Sequence, residues 1–284
     1  MANVPAGLTY RRLYMPQIAV NPDIVFISAA KLKVHVETGV TLSLKNLFGL
    51  PPILPYFDAT QAEFRSRYVL HDRGVHQAIV DLALVRPVDF AVVDGGWGME
   101  GESPSEGTPV RMDLAVAGSN ALAVDRVCSA IMSTPQERAQ HFTYAALRGL
   151  GPASLDEVSV VGDSFTPHPF LQPRIPPQVW YPRTTPSVFA PGRGDRTTIT
   201  YRLLEPALVR VQVLRTTDVT PSIAVVRTLR DWSMIPAAGV EALVWDGRDD
   251  AGALVAAGTY AVRVQAFLDG VTLFNAGTGW VAAI

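Results

Sequence analysis

Apolar and polar positions change their period along this chain. In residues 1–165, short apolar runs alternate with stretches of helical spacing. DIVFIS (23–28) is β-branched and aromatic, as a buried strand requires. ETGVTLSLKNLFG follows and predicts a helix closed by Gly49 and Pro51-Pro52. HDRGVHQAIVDLALV (71–85) places apolar residues at 75, 79, 82 and 83, again a helix. VDFAVVDG (88–95) and MDLAVAGS (112–119) predict two more strands. Residues 120–132 predict a helix with Val124, Val127, Cys128 and Ile131 on its apolar face. Thr134-Pro135-Gln136-Glu137 has the form of a capping box with proline at the first helical position, and the helix it opens should end near Gly149 or Gly151. EVSVVG (157–162) predicts a last strand. Strands alternating with helices predict an α/β domain over 1–165, with a mostly parallel sheet covered by helices.

The pattern changes after residue 165. TPHPFLQPRIPPQVWYPRTTPSVFAPG is proline-rich, is incompatible with helix, and predicts an extended linker over 166–185. Beyond it TTITYRL, ALVRVQVLR, IAVVRTL, VEALVWDG and GTYAVRVQAFLDG carry many period-two stretches separated by turn residues. About a hundred residues of short strands predict an all-β sandwich over 186–284.

Composition narrows the function classes. The formal net charge is −2 and the pI near 6.2, so there is no basic stripe for a nucleic acid. A single cysteine, Cys128, excludes an intrachain disulfide, and this chain alone is expected to hold no iron–sulfur cluster and no cysteine-based zinc site. Cys128 reads as a small buried hydrophobe. No apolar run is long enough to span a bilayer. The N-terminus lacks an apolar h-region, so Arg11-Arg12 is not an export signal.

All three lysines, Lys31, Lys33 and Lys45, fall within residues 29–49, and the other 21 basic residues are arginine. In open α/β sheets ligands sit beyond the carboxyl ends of strands. If residues 31–35 are extended, Lys31, Lys33 and His35 point to one side. On a following helix Thr41 and Lys45, four apart, share a face. Asp94 ends the next strand at the same rim. Lysine offers a compact charge that can lose its proton when desolvated, which arginine cannot do. Phosphate or carboxylate binding, proton transfer and imine formation all fit such a cluster; a chance grouping on a solvated surface is the alternative. The glycine-rich DGGWGMEGESPSEGTP is expected to loop over the rim, with Glu100 as a base, a metal ligand or an exposed acid. His35, Asp94 and Glu100 are the metal candidates. Asp125, at the edge of an apolar stripe, needs a partner. His71 and His76 lie five apart, on different helical faces, and do not make a helical zinc pair. His141 and His168 are expected at the surface.

Two resemblances extend this reading. Trp245-Asp246-Gly247-Arg248-Asp249 with Gly252, then Gly258-Thr259-Tyr260, resembles the immunoglobulin-like module of the flagellar hook-capping protein, over about residues 186–284. That module implies attachment or spacing, a possible protein partner, and an extracytoplasmic location. The run Lys31-Leu32-Lys33-Val34-His35, with Thr38-Gly39-Val40-Thr41 and Leu44-Lys45-Asn46-Leu47-Phe48-Gly49, resembles domain of unknown function 362. Asp94-Gly95, Met99-Glu100-Gly101, Pro104, Gly107 and Ala123-Val124-Asp125 extend that match over roughly 20–163. Members usually carry an N-terminal α/β half before this point and many carry ferredoxin-like cysteine clusters. This chain is expected to lack both. The motif residues, Asn46 included, are thereby candidate ligand contacts. Two functions follow: an α/β domain binding a small anionic or metal-bridged ligand, tethered by the second module, or a non-catalytic envelope or assembly protein built on a degenerate α/β scaffold. Neither fixes a reaction.

Overall fold

The computed structural model describes residues 1–4, 6–58, 67–216, 224–268 and 275–284. The chain divides into two compact units, one of residues 1–52 and 76–175, the other of residues 53–75 and 176–284.

In the first unit β1 (Ala2–Asn3) and β2 (Arg12–Leu13) form a small ladder. Between them the chain is pinned to a helix: the carboxylate of Asp81 accepts the backbone N–H groups of Leu8, Thr9 and Tyr10. The main strand β3 (Ile27–His35) starts later than the apolar run suggests and carries the lysine motif. β4 (Gly39–Val40) folds back on it, and the helix expected here shortens to α1 (Leu42–Asn46) followed by a 3-10 turn. After the turn α2 (Tyr68–Asp72), which groups with the second unit, come α3 (Val75–Val85), β5 (Phe90–Glu102), β6 (Glu106–Gly118), α4 (Ala121–Ile131) and α5 (Gln140–Leu147).

The sheet order is β4-β3-β5-β6, and only β3 and β5 pair in parallel. The first unit is therefore mixed α/β, not the mostly parallel sheet that alternation predicts. The cause is the glycine-rich segment. It is not a loop: β5 runs through it to Glu102 and returns as β6 in a long hairpin. Its glycines make room. A Cβ on Gly98 would stand 2.8 Å from the Phe170 ring, and one on Gly107 would stand 2.5 Å from the Met99 side chain.

Two other expectations change. Residues 134–137 make no side-chain cap. Thr134 is bonded instead to Ser129, and only a 3-10 turn, Gln136–Arg138, precedes α5. Residues 157–162 pair with no strand among the described residues, and Val160 and Val161 stand exposed at 52% and 95%. α4 is capped by Asn120, whose Oδ1 accepts Ala123 N–H at 2.9 Å, and its apolar face is buried as its spacing demands, Cys128 included.

Among its described residues the second unit is built of strands, apart from α2 and the 3-10 turns Leu54–Tyr56 and Pro191–Arg193. Its strands are β7 (Val179–Thr185), β8 (Val188–Phe189), β9 (Thr197–Leu203), β10 (Ala207–Arg215), β11 (Val225–Ile235), β12 (Gly239–Trp245), β13 (Gly258–Phe267) and β14 (Asn275–Ala283). They form sheets of order β11-β10-β13-β14-β8 and β12-β9-β7. The ends of two expected strands, Ile223 and Asp269-Gly270, lie outside the described residues. Inward residues of both sheets share one core, including Val209, Val211, Val213, Ile199, Tyr201 and Val262. Trp245 is fully buried in it, edge-on to Phe189 and Tyr260, with its indole N–H donated to the Arg248 carbonyl.

α2 brings a charge onto this unit. Asp72 pairs with Arg263, and its second oxygen accepts Gln265 Nε2–H at 2.9 Å. Arg263 also donates to Gln212, and Thr278 donates to the Arg73 carbonyl. Asp72, Arg73, Arg263 and Gln265 are all buried.

Candidate functional site

Alternation along β3 sorts its side chains. Ser28, Ala30, Leu32 and Val34 are buried, while Ile27, Ala29 and Lys31 are exposed and Lys33 is half-buried. Ser28 Oγ–H donates to the Ser43 carbonyl, so α1 lies on the buried face. Lys31 and Lys33 therefore share the face opposite α1. There the β3–β5 register sets Lys31 across from Asp94, and Lys31 Nζ reaches Asp94 Oδ2 at 2.7 Å. That amine, and then the Gly96 N–H, hold the Asp94 carboxyl below the usual range. Lys33 is different. Among the described residues its amine makes no ion pair or hydrogen bond, and burial lowers its pKa from the ordinary 10.5.

The remaining candidates sit on or beyond the far end of β3. His35 is buried, and its Nδ1 accepts the Glu37 N–H at 3.0 Å. Nδ1 as acceptor places the proton of the neutral ring on Nε2. Thr41 follows β4, with its N–H on the Lys33 carbonyl at 3.0 Å. Its Oγ1 is buried and has no hydrogen-bond partner among the described residues. Lys45 stands 5.7 Å from the centre of the Phe48 ring. Asn46 ties α1 to β3, donating to Ser28 Oγ and the Ala29 carbonyl.

Two acids have structural partners. Asp125 is fully buried, and its oxygens accept the N–H groups of Ser43 and Leu44 at 2.7 and 2.8 Å. A carboxylate from α4 thus caps α1, whose own Thr41 makes no cap. The cap holds Leu42 in the left-handed region, at φ +52°, which an L-residue adopts only under constraint. Glu100 Oε2 accepts the Leu171 N–H at 2.6 Å. Among the described residues no three His, Cys, Asp or Glu side chains gather to hold a metal ion, so His35, Asp94 and Glu100 do not meet as ligands.

A histidine pair was missing from the sequence reading. His141 is not at the surface: it is fully buried, stacked on His76 with ring centres 5.3 Å apart and Nδ1 atoms 3.0 Å apart. His76 Nδ1 also accepts the His141 backbone N–H. Burial first, then the charges of His76, Lys45, His35 and Arg126, drive the His141 pKa well below 6.5. His35 and Lys45 thus act on the field at His141, while Lys31, Lys33 and Asp94 form a separate group on the open sheet face. The four-residue spacing of His141 and Ala145 on α5 was the signal for a buried position.

Comparison with known proteins finds a relative in a thylakoid-associated protein of Synechocystis, 24% identical over 150 residues. The match covers 52% of this chain and 44% of that protein, so the chain spans less than half of its relative's length. Among solved structures, an alkylpurine DNA glycosylase of Pseudomonas fluorescens bound to DNA matches at 14% identity and a TM-score of 0.25, covering 38% of this chain and 30% of the glycosylase. A β-glucosidase of Erythrobacter marinus matches at the same identity and TM-score, covering 45% of this chain and 18% of the enzyme. Resemblances of that size carry no argument about fold or activity. Residues 1–130, which hold the lysine strand, Asp94, Glu100 and Asp125, match the family described as Domain of unknown function (DUF362).

Proposed function

We propose that the first unit binds a small anion on the open face of its sheet, and that the second unit is an immunoglobulin-like module of the hook-capping type that tethers or spaces it outside the cytoplasm. The observation that carries the binding is Lys33. A half-buried amine with no partner among the described residues, beside a lysine already neutralised by Asp94, has lost water and gained no counter-charge there. A phosphate or carboxylate supplies the missing charge and returns its pKa toward the ordinary value. Thr41, whose backbone N–H is bonded to the Lys33 carbonyl, is the candidate hydroxyl. The metal-bridged form is set aside because the acids and His35 do not converge.

Titration calorimetry with inorganic phosphate and with succinate tests this. Binding of one of them is expected, weakened about tenfold or more in Lys33→Met and also in Lys33→Arg, because the guanidinium fork does not fit a compact-amine site. If neither probe binds the unaltered chain, or if Lys33→Arg binds as well as the parent, the reading fails.

A second reading has its own support. Ile27, Phe90 and Trp97 are exposed at 55%, 40% and 55% on β3 and β5, and an apolar sheet surface of that kind serves an assembly protein. Sedimentation of the full chain separates the two readings: concentration-dependent association that Phe90→Asp abolishes, with no anion binding, favours assembly.

A further inference from the structure

We propose that residues 157–162 form a strap that closes onto the outer edge of β6 as a fifth, antiparallel strand of the first unit's sheet. β6 ends the sheet, so among the described residues its outer N–H and C=O groups have no strand to pair with. A groove of about 1240 Å³ runs along that edge. Consecutive residues from Arg111 to Gly118 line it, so it is the edge of the strand that faces the space, not one side of the sheet. Val124 and Val127 of α4 line it as well, and so do Val158 and Val160.

The strap is held at both ends. Near its start the 3-10 turn Leu155–Glu157, the Glu157 carboxylate on the Ala153 N–H and the Val158 N–H on the Leu155 carbonyl fix the chain, and residues 159–167 provide the slack. On one side Arg126 Nε–H donates to the Pro152 carbonyl and Asn120 Nδ2–H to the Leu150 carbonyl. On the other, the N–H groups of His168 and Phe170 donate to the carbonyls of Ile131 and Met132. Residues 152–168 extended would reach about 50 Å, whereas residues 126 and 131 of a helix lie about 8 Å apart along its axis. The slack lets the segment stand off the groove or move onto it. Its direction fits. It leaves the Asn120 end, next to the last residue of β6, and arrives at the Ile131 end, so it runs opposite to β6.

The segment is also built to pair. EVSVVG has the β-branched content of a strand, yet Val160 and Val161 stand in solvent. Gly162, at φ +121°, ends it in a conformation open to glycine. On β6 the available edge has a matching length. Pro109 and the irregularity opposite Gly95–Trp97, where Asp113 has φ +51°, blunt the first half. Leu114–Gly118 remains regular. Closure would fill the groove, bury the valines and cover the edge one strand away from Asp94, which pairs with Ala115.

The test uses the full chain. Cys128 is buried, so an added cysteine pair reports alone. Val160→Cys combined with Ala115→Cys or with Ala117→Cys is expected to form an intramolecular disulfide under mild oxidation. In the unaltered chain, the amides of 114–118 and of 158–162 should both exchange about a hundredfold slower than an unstructured peptide. No cross-link with either partner, or unprotected amides in either segment, overturns the proposal. So does a cross-link that appears only between two chains, which would assign the edge to a second copy.

Discussion

Asp72→Ala is expected to cost the second unit about 3–5 kcal/mol, the usual loss when one partner of a buried ion pair is removed. The side chains of Asp72 and Arg263 are 1% and 7% exposed, so alanine leaves a guanidinium in the interior with its counter-charge gone. Gln265 loses its acceptor at the same time. Asp72→Asn, which keeps an oxygen for one donor, should cost less. Chemical denaturation followed through the second unit gives the number, and a loss below about 1 kcal/mol would mean that water reaches Arg263 and the pair is not sealed. The same pair bears on how the chain is cut. A β fragment that starts near residue 176 lacks Asp72. Limited proteolysis is therefore expected to leave residues 53–75 attached to the β fragment, and the separately expressed 176–284 piece should be less stable than one with 53–75 supplied.

No local pattern announces that pair, because its members lie 191 residues apart and neither sits in a motif. What was legible was local. Period two on the lysine strand sets Lys31, Lys33 and His35 on one side, yet only Lys31 and Lys33 keep exposure there while His35 is buried; the helical stripe of α4 buries Val124, Val127, Cys128 and Ile131. Asp125 was legible as a carboxylate in need of a partner, but the partner, the backbone of α1, could not be read from spacing. Two misreadings share one physical origin. Glycines in the 95–107 segment imitate a loop, although there they admit Phe170 and Met99 against a hairpin. Valines at 158–161 carry a strand's preference, but in this structure they stand off the edge they would have to join. Residue type records preference; the neighbours that decide between preferences come from elsewhere in the chain. The convergence expected of Lys31, Lys33, His35 and Lys45 divides for a similar reason. Strand alternation is visible in the sequence, but the side of the sheet on which α1 settles is not.

Buried acids make the first unit's stability depend on pH in an uncommon direction, and calorimetry of the full chain should show it. Asp125 and Asp81 are both fully buried, and burial raises each to about 7 against an ordinary 3.8, although backbone N–H groups pull them back. A carboxyl raised in the folded state binds its proton more tightly there than when unfolded. Its contribution is complete below about pH 4 and is lost as pH climbs through 7. Between pH 5.5 and 8 that loss is on the order of 2 kcal/mol for each group. His141 works the other way. Its depressed pKa penalises the folded state as pH falls through about 6.5, which offsets part of the acids' effect at pH 5.5. The acids prevail, so the first unit should melt at a lower temperature at pH 8 than at pH 5.5. Asp125→Asn should narrow the gap by removing one of the two titrations, while weakening the cap on Ser43 and Leu44 at every pH. His141→Phe should widen it, since the opposing group is gone. A melting temperature that rises from pH 5.5 to 8, or a gap unchanged in Asp125→Asn, would mean that Asp125 is ionised in the fold at both values. Its two N–H donors would then outweigh its burial.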